Sequence, residues 1–501
     1  MIHRAPEPPL EIPDVALTPF LLDLADKRGE QAAFIEGASG RTLTYAGWAN
    51  AVRRTAAGLA RRGFKKGDVF AIYSPNIPEY AVVFHAVSLA GGVVTTINPL
   101  YTVEELRQQL RDAGAKFLIT TPTFAEKARE AGIVEEIFLF GQSNLEADGE
   151  PPHVDIDPHT DLIAMPYSSG TTGLPKGVML THRNLVANLL QTSGVIPVIE
   201  HDVMLGVLPF FHIYGMVVIM NLGLYRGATV VTMPRFDLEQ CLEILQKYRV
   251  TFANVVPPIV LALAKHPLVE KYDLSALRLV FSGAAPLGEE VAAAATKRIG
   301  CLVTQGYGLT ETSPVTHVAR VGTHQAKGIG PPIPNTESKI VDLTTGAALG
   351  TGEEGEICIR GPQVMRGYLN NPEATAAMID GEGWLHSGDV GYADEDGCFF
   401  VVDRVKELIK YKGLQVAPAE LEALLLTHPA VADAAVVPLA HDEAGQVPKA
   451  FVVLKGSATA EELMAFVAER VAPYKKVRCV EFTQQIPRSA SGKILRRVLK
   501  Q

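Results

Sequence analysis

The chain has 501 residues, more than a single hydrophobic core ordinarily supports, so the sequence predicts at least two domains. Hydrophobic residues make up 47% of the chain and charged residues 20%, which is the composition of a folded rather than a disordered protein. The formal net charge of −9 argues against a general nucleic-acid-binding protein.

The first half of the chain alternates between strand and helix patterns. Strands are predicted at 68–76, Val93–Ile97 and 116–121. Helices are predicted over 78–90 and 102–113, the second opening at the capping box TVEE. This alternation predicts an α/β fold in which helices cover a parallel sheet.

The apolar segment 203–224 is long enough to span a membrane, but Pro209, His212 and Asn221 interrupt it. We therefore expect two buried elements joined by a bend at 209–212. A helix is predicted to begin after Asp237. Further strands are predicted at 203–208, 229–233, 252–256, 277–281 and 399–402.

The last hundred residues have a different texture, with a turn-rich entry and a short helix predicted over 418–427. They predict a compact α+β unit. Residues 469–501 contain nine Lys and Arg residues but only two Glu residues. Such a run is most often a solvated basic face, although it is also where a polyanionic ligand would bind.

The segment YSSGTTGLPKGV (167–178) concentrates hydroxyl residues and glycines around one lysine. Small residues let backbone N–H groups approach phosphate oxygens, hydroxyls donate hydrogen bonds, and Lys176 adds positive charge. The segment is not a Walker A motif, because Pro175 replaces its glycine and Gly177 replaces its Ser or Thr. A polar turn would not require this density of such residues, so we predict a phosphate-binding loop.

Five further segments carry the small and polar residues expected around a nucleotide, and each is modest alone. They are SGAAP (282–286), QGYGLTE (305–311), WLHSGD (384–389), DRVKELIKYKGLQ (403–415) and RSASGKILRR (488–497). In this order and spacing, the sequence resembles the adenylate-forming superfamily of acyl-CoA synthetases, luciferases and nonribosomal adenylation domains over about residues 15 to 500. PYSSGTTGLPKGVMLTH, PFFHIYG, QGYGLTE, GWLHSGD and VDRVKELIKYKGLQVAPAELE are most similar to 4-coumarate–CoA ligases and their bacterial relatives.

The resemblance implies an α/β fold with a large N-terminal domain, 1–403, of parallel and mixed sheets layered with helices, plus a distorted β-barrel. It also implies a small mobile α+β domain at 404–501. The hinge between them would lie at 404–407, with Lys406 as its pivot. The implied reaction has two steps: a carboxylate attacks the α-phosphorus of ATP, and the thiol of coenzyme A then displaces AMP from the acyl adenylate.

The resemblance also implies roles for individual residues. Those expected at the β- and γ-phosphates are Ser168, Ser169, Gly170, Thr171, Thr172 and Lys176. Those expected around the adenine, AMP and ribose are Gly283, Ala284, Ala285, Gln305, Gly306, Tyr307, Thr310, Asp389 and Arg404. Those expected to serve the coenzyme A step are Arg235, Lys406, Lys410, Lys412, Gly413 and Gln415.

Three residues are implied in the chemistry itself. Lys493 would bridge the carboxylate and the α-phosphate, although it is also one basic residue among nine. Glu311 would hold Mg²⁺, a hard ion suited to carboxylate and phosphate oxygens. His212 would orient the acid, although a histidine beside phenylalanine is more often a core residue.

The expected acyl tunnel is lined by His212, Tyr214, Val218, Ala284, Gly306, Gly308, Pro314 and Val315. Tyr214 is a candidate hydrogen-bond partner for a phenol. Val218 is bulkier than the residue common at this position in plant coumarate ligases. It would shorten the tunnel or favour medium-chain fatty acids.

Three rival classes share parts of this pattern. An amino-acid-activating domain would need an acidic residue near 212–214, and the local sequence PFFHIYGMVV has none. A luciferase would share nearly every motif. A non-catalytic nucleotide-binding protein would be expected to lack Lys493 or Glu311, and both are present.

Five cysteines without CxxC spacing, no signal-peptide pattern at the N-terminus and no SKL at the C-terminus lead us to expect a cytoplasmic protein. The expected partners are a small carboxylic acid, ATP and coenzyme A. We expect no nucleic acid, no stable membrane insertion, and a monomer or weak homodimer.

Overall fold

The computed structural model describes residues 1–142, 145–168, 175–321, 328–412, 414–441, 443–489 and 492–499. In the described part of the chain, no helix combines the length and apolar content needed to cross a membrane. The segment 203–224 forms a strand, a bend and a π-helix, Tyr214–Asn221, so the expected pair of buried elements is confirmed.

Two large sheets have parallel centres, with antiparallel strands at one edge of the first sheet and at both edges of the second. The first contains, in spatial order, Gly367–Tyr368, Lys176–Thr181, Leu162–Ala164, Val93–Ile97, Val69–Tyr73, Ala115–Thr120 and Glu136–Leu139, with Tyr167–Ser168 also paired to Lys176–Thr181. The second contains Val315–Val318, Leu302–Gly308, Leu279–Ser282, Phe252–Val255, Val203–Gly206, Thr229–Thr232, Ala32–Glu36 and Thr42–Thr44. The predicted α/β fold is thus confirmed.

Helices pack between and over these sheets. The α-helices are Leu17–Ala25, Tyr45–Arg61, Pro78–Leu89, Val103–Ala113, Ala125–Ala131, His182–Val195, Leu222–Arg226, Leu238–Lys247, Pro257–Lys265, Glu289–Ile299, Pro372–Met378, Pro418–Thr427, Ala460–Ala468 and Arg496–Leu499. Short 3₁₀ turns lie at Pro122–Phe124, Pro267–Lys271, Thr310–Thr312 and Pro473–Lys475. One continuous hydrophobic cluster joins both large sheets through helix residues such as Trp48 and Phe84.

Local signals set several boundaries. The predicted capping box is present, with the Thr102 hydroxyl accepting from the Glu105 N–H and the Glu105 carboxylate accepting from the Thr102 N–H. One predicted strand begins at Leu279 rather than Leu277, because Leu277 bonds back to Leu274 in a turn.

The structure has a third sheet, and no closed barrel is formed by the described residues, although the resemblance implies a distorted β-barrel. The antiparallel strands of this sheet, in spatial order, are Ile2–Arg4, Glu337–Val341, Gly355–Arg360, Leu385–Ala393 and Phe399–Arg404. Among the described residues, the two edge strands do not pair with each other, so this sheet is open.

A fourth sheet belongs to the last hundred residues. It contains Leu414–Val416, Ile409–Tyr411, Gly445–Leu454 and Val431–His441, with Cys479–Phe482 parallel to Gly445–Leu454. The helices Pro418–Thr427 and Ala460–Ala468 supply Leu421, Leu463 and Val467 to a hydrophobic cluster drawn from residues after 408. This cluster is separate from the one between the large sheets.

Candidate active site

A cavity of about 740 Å³ lies where the second and third sheets meet the segment around Lys493. Gly283 and Ala284 reach it because they follow the carboxyl end of the strand Leu279–Ser282. The carboxyl ends of parallel strands are the usual place for ligands in open α/β sheets. The cavity thus has the position expected of a ligand site in this fold.

Most of the residues expected at the site line this one cavity. They are Ser168, Lys176, His212, Tyr214, Val218, Gly283, Ala284, Gly306, Tyr307, Gly308, Thr310, Glu311, Pro314, Val315, Asp389, Arg404, Lys406 and Lys493. They come from segments more than three hundred residues apart in the chain. Ser169, Gly170, Thr171, Thr172 and Gly413 lie outside the described residues.

A second group of expected residues lies away from the cavity wall. Arg235 is exposed after the strand Thr229–Thr232, and Ala285 is not part of the lining. Lys410, Lys412 and Gln415 are exposed on the hairpin of the fourth sheet.

Gln305 also turns away from the cavity, although the resemblance implies that it frames the adenine. Its carboxamide oxygen accepts from the Leu287 N–H at 3.2 Å, and its nitrogen donates to the Leu287 carbonyl at 3.4 Å. Gln305 therefore holds the loop that carries Gly283 and Ala284.

Glu311 forms one end of the site together with Tyr368 and Lys176. The Tyr368 hydroxyl donates to Glu311 Oε1 at 2.8 Å, and the Lys176 Nζ lies 5.0 Å from the Tyr368 ring centroid. Tyr368 lies beside Lys176 because its strand pairs with the strand that begins at Lys176, in a register that sets Val178 opposite Tyr368. Burial and the Glu311 carboxylate raise the pKa of Tyr368, which keeps its hydroxyl a donor. No sequence motif predicted Tyr368.

Asp389 forms a second polar centre. Its Oδ2 accepts from the Tyr307 hydroxyl at 2.6 Å, and its Oδ1 lies 3.3 Å from Arg404 Nε. Burial raises the pKa of Asp389, and the Arg404 cation opposes that shift. The carboxylate is thus oriented by two neighbours and can accept hydroxyl groups from a ligand.

Lys493 is enclosed between these polar groups and the apolar part of the cavity. Burial, and then the Arg404 cation, lower the pKa of Lys493 to about 8, while Glu407 and Asp389 oppose the shift. Among the described residues, no carboxylate forms an ion pair with Lys493. Lys493 can therefore stabilise an added anion strongly.

His212 lies close enough to Lys493 to respond to its charge. Burial, and then the Lys493 cation, lower the pKa of His212 to about 4, so the ring is neutral at pH 7. Its Nδ1 accepts from the Tyr214 N–H at 3.3 Å, which leaves the proton on Nε2. His212 is therefore suited to donating a hydrogen bond rather than a proton.

The apolar end of the cavity is built from the π-helix Tyr214–Asn221 and the strand ends that face it. The helix supplies Tyr214 and Val218 to the lining. The Tyr214 hydroxyl donates to the Phe281 carbonyl at 3.0 Å, so toward a phenol it can act only as an acceptor. A Cβ on Gly283 would lie 2.8 Å from the Tyr214 ring, and glycine therefore keeps this wall flat.

Asn254 is a further polar residue beside this end that sequence analysis did not identify. It pairs in register with Phe281, which lines the cavity, so the two side chains project from the same sheet face. The Asn254 side chain is fully buried, and neither amide atom has a hydrogen-bond partner among the described residues. Buried amides are rarely left unpaired, which points to a missing polar neighbour.

Two family models match the chain. The AMP-binding enzyme model covers residues 22–369, and the AMP-binding enzyme C-terminal domain model covers residues 420–493.

Full-length relatives are 4-coumarate–CoA ligases. The ligase of Pinus taeda is 44% identical over 522 residues, spanning 100% of this chain and 97% of the relative. The 4-coumarate–CoA ligase 2 of Petroselinum crispum is also 44% identical, spanning 100% and 96%.

Solved structures of similar fold include ATP-bound MatB from Rhodopseudomonas palustris, with a TM-score of 0.89, 29% identity and coverage of 97% and 98%. The o-succinylbenzoate CoA synthetase MenE of Bacillus subtilis, bound to the acyl adenylate OSB-AMP, has a TM-score of 0.85, 31% identity and coverage of 98% and 99%. The chain belongs to the AMP-binding enzyme family.

Proposed function

We propose that this protein is an ATP-dependent carboxylate–CoA ligase that acts on 4-coumarate or a related cinnamate. In the first step the acid's carboxylate oxygen attacks the α-phosphorus of ATP, forming the acyl adenylate and releasing pyrophosphate. In the second step the sulfur of coenzyme A attacks the acyl carbon, the thiol proton is lost, and AMP leaves. The observation that carries this proposal is one cavity with an apolar end, a polar end and Lys493 between them.

Lys493 is proposed to make the first step possible. Two anions must approach each other, so the barrier falls when a fixed cation lies where their charges meet. Lys493 lines the cavity close to His212, which supports this role, and His212 would hold the acid's carboxylate through its Nε2 proton. Removing one positioned donor of this kind typically lowers the rate roughly 10²- to 10³-fold.

The polar end is proposed to hold the nucleotide. Lys176 and the hydroxyl of Ser168 would contact the leaving phosphates, and Asp389 would accept from the ribose hydroxyls. The residues of the phosphate-binding loop from Ser169 to Thr172 would contact the same leaving phosphates.

Glu311 is proposed to hold Mg²⁺. Its carboxylate lies in the cavity lining, is only 4% exposed, and already has one oxygen fixed by Tyr368. A buried carboxylate beside phosphate oxygens is a donor set that suits this ion. When bound, the ion would neutralise charge on the departing pyrophosphate.

The second step is proposed to use residues that now lie outside the cavity. Lys410, Lys412 and Gln415 are on an exposed hairpin, and a rotation of 404–501 about 404–407 would bring them to the site. Gly413, which follows Lys412 in the sequence, is proposed to act in the same step, and Arg235 would meet a phosphate of coenzyme A.

The choice of acid rests on two observations. Relatives named as 4-coumarate–CoA ligases align over the whole chain at 44% identity. In addition, the buried Asn254 amide, which has no partner among the described residues, projects from the same sheet face as Phe281 of the cavity lining, and a ring hydroxyl is proposed to supply its missing neighbour. The hydrocarbon chain of a fatty acid has no polar group that could form a hydrogen bond with the Asn254 amide.

The test is an AMP-release panel with ATP, Mg²⁺, coenzyme A and one of three acids: 4-coumarate, cinnamate or octanoate. We expect kcat/KM to be highest for 4-coumarate and lowest for octanoate. Lys493→Ala serves as the inactive control. Dominance of octanoate would overturn the phenylpropanoid assignment, and no AMP release with any acid would overturn the ligase assignment.

A further inference from the structure

The strand Leu385–Ala393 contains a large bulge next to the cavity. Glu356 pairs with Val390 and Cys358 pairs with His386 in the neighbouring strand. One residue, Ile357, therefore faces the three residues 387–389. Bulges beside active sites commonly redirect a side chain, and here the residue at the end of the bulge is Asp389.

The Glu356 side chain spans this bulge. Its Oε1 accepts from the Gly388 N–H at 2.9 Å, and its Oε2 lies 2.8 Å from His386 Nδ1. A carboxylate only accepts, so Nδ1 carries the proton. Gly388 has φ +71°, a conformation that favours glycine, and its N–H points into the bulge rather than along a strand ladder. Glu356 thus replaces the pairing that the extra residues remove.

The held segment contacts both the polar centre and the segment expected to be the hinge. Asp389 lies beside Tyr307 and Arg404, and the Gly388 carbonyl accepts from the Val405 N–H at 2.9 Å. A change in the bulge would therefore move the Asp389 carboxylate and loosen the backbone next to Lys406.

We propose that Glu356 is a positioning residue for the nucleotide: it fixes Gly388 and His386 so that Asp389 faces the ribose hydroxyls. Glu356 also lines the cavity, but its two oxygens are engaged with protein groups. Its effect is therefore exerted through Asp389. This role rests on the proposed function, in which Asp389 binds the ribose.

Glu356, Cys358 and His386 also lie close enough together to be compared with a metal site. Burial raises the pKa of the Cys358 thiol to about 12, so this thiol stays protonated at neutral pH. The Cys358 sulfur lies 3.5 Å from the same Nδ1 that Glu356 contacts. Because Glu356 and Cys358 both contact His386 Nδ1, we interpret the three residues as a hydrogen-bonded cluster rather than a metal site. Stoichiometric zinc in the purified protein would overturn this interpretation.

The proposal is tested by direct AMP binding and by acid-dependent exchange of pyrophosphate into ATP. Glu356→Ala should weaken AMP binding and raise the KM for ATP by roughly tenfold, because a hydrogen-bonded charged group loses its orientation. The KM for the acid should stay unchanged. Glu356→Gln should restore both values to within about threefold. Its carbonyl can accept from Gly388, and its amide can donate to the other His386 tautomer.

Glu354→Gln is the matched control, because Glu354 is a neighbouring acid that is exposed. We expect it to change neither AMP binding nor the KM for ATP. If Glu356→Ala does not fold, Glu356→Asp replaces it, since the shorter side chain cannot reach both partners. Wild-type AMP affinity in the Ala variant, or equal losses in Ala and Gln variants, would overturn the positioning role. AMP binding requires no catalysis. Its outcome therefore remains readable even if no acid is activated and the proposed function fails.

Discussion

Lys493 is held by its own backbone before any ligand arrives. The Ser489 N–H donates to the Lys493 carbonyl at 2.8 Å, and the Lys493 N–H donates to the Ser489 hydroxyl at 3.1 Å. These bonds fix the base of a long, flexible side chain and so reduce the ordering that binding must supply. In the proposed first step, the positive charge of this side chain stabilises the two anions as they approach.

The rate of adenylate formation should depend on pH through the charge of Lys493. Because the cation is the active form and its pKa is lowered to about 8, kcat/KM for adenylate formation should fall as pH rises past 8. This ratio reports ionisations of the free enzyme. In the pH profile of kcat, the fall in rate should occur at higher pH than in the profile of kcat/KM, because bound phosphates favour the charged form of Lys493. Pyrophosphate exchange measured between pH 6 and 10 checks both limbs.

Lys493→Arg is the control for that assignment. A guanidinium stays charged throughout this range, so the slower variant should lose the limb near pH 8. Persistence of the same limb in Lys493→Arg would assign it to another group.

At the scale of secondary structure, Arg496 connects the Lys493 segment to the rest of the C-terminal unit. It begins the short helix Arg496–Leu499 and donates to both oxygens of Glu422, at 2.7 and 2.8 Å. It also pairs with Glu407, and its Nε donates to the Val436 carbonyl at 3.1 Å. One side chain thus joins the helix Pro418–Thr427, the edge strand Val431–His441 of the fourth sheet and the last residue of the expected hinge.

Arg496→Ala should therefore destabilise the C-terminal unit. The Glu422 side chain is 11% exposed, and removing one partner of a buried pair costs up to roughly 3–5 kcal/mol when the remaining group stays charged. Burial already raises the pKa of Glu422 to about 7, so protonation of Glu422 should relieve part of this cost. Hydrogen exchange of amides after residue 408 gives the local free energy of opening. Adenylate formation should fall as well, because Lys493 loses its anchor.

Two variants bracket this prediction. Arg497→Ala removes an exposed neighbour and should change the local stability by less than about 0.5 kcal/mol. Arg496→Lys keeps the charge, but a single ammonium group cannot contact Glu422, Glu407 and the Val436 carbonyl together, so its local stability should lie between those of Arg496→Ala and Arg497→Ala. Equal stability of Arg496→Ala and Arg497→Ala would refute the anchoring role.

Secondary structure was predictable where local residues determine it. The helix Pro418–Thr427 and the strand Val93–Ile97 have the predicted bounds, since proline at the helix start and a β-branched run act locally. The π-helix Tyr214–Asn221 and the bulge at 387–389 were not predicted. Both depend on packing and register against distant strands, which short-range patterns do not contain.

At the scale of the whole molecule, the C-terminal unit has its own hydrophobic cluster yet contributes Lys493 to the shared cavity. The exposed hairpin carries Lys410 and Lys412 on another part of the same unit. One unit that carries the residues proposed for two steps on different surfaces is compatible with a rotation between them.

That rotation predicts separable half-reactions. Lys493→Ala should abolish adenylate formation but leave thioester formation from a supplied acyl adenylate. Lys406→Pro should do the reverse, because proline restricts the backbone at the pivot. Pyrophosphate exchange measures the first step, and coenzyme A thioester formation measures the second. Loss of the same half-reaction in both variants would contradict domain alternation.

The sequence by itself determined that this chain is an AMP-binding enzyme and which residues are candidates for its site. The glycine- and hydroxyl-rich loop with Lys176 predicts phosphate binding from its residue types. The roles expected of Glu311, Asp389 and Lys493 come from the resemblance of the ordered motifs to the family. Only the tertiary structure decided which neighbours orient them. Tyr368 on Glu311, Glu356 across the bulge, Arg496 behind Lys493 and Gln305 on Leu287 all follow from long-range strand register and packing. Such contacts join distant parts of the chain, and no local pattern encodes them.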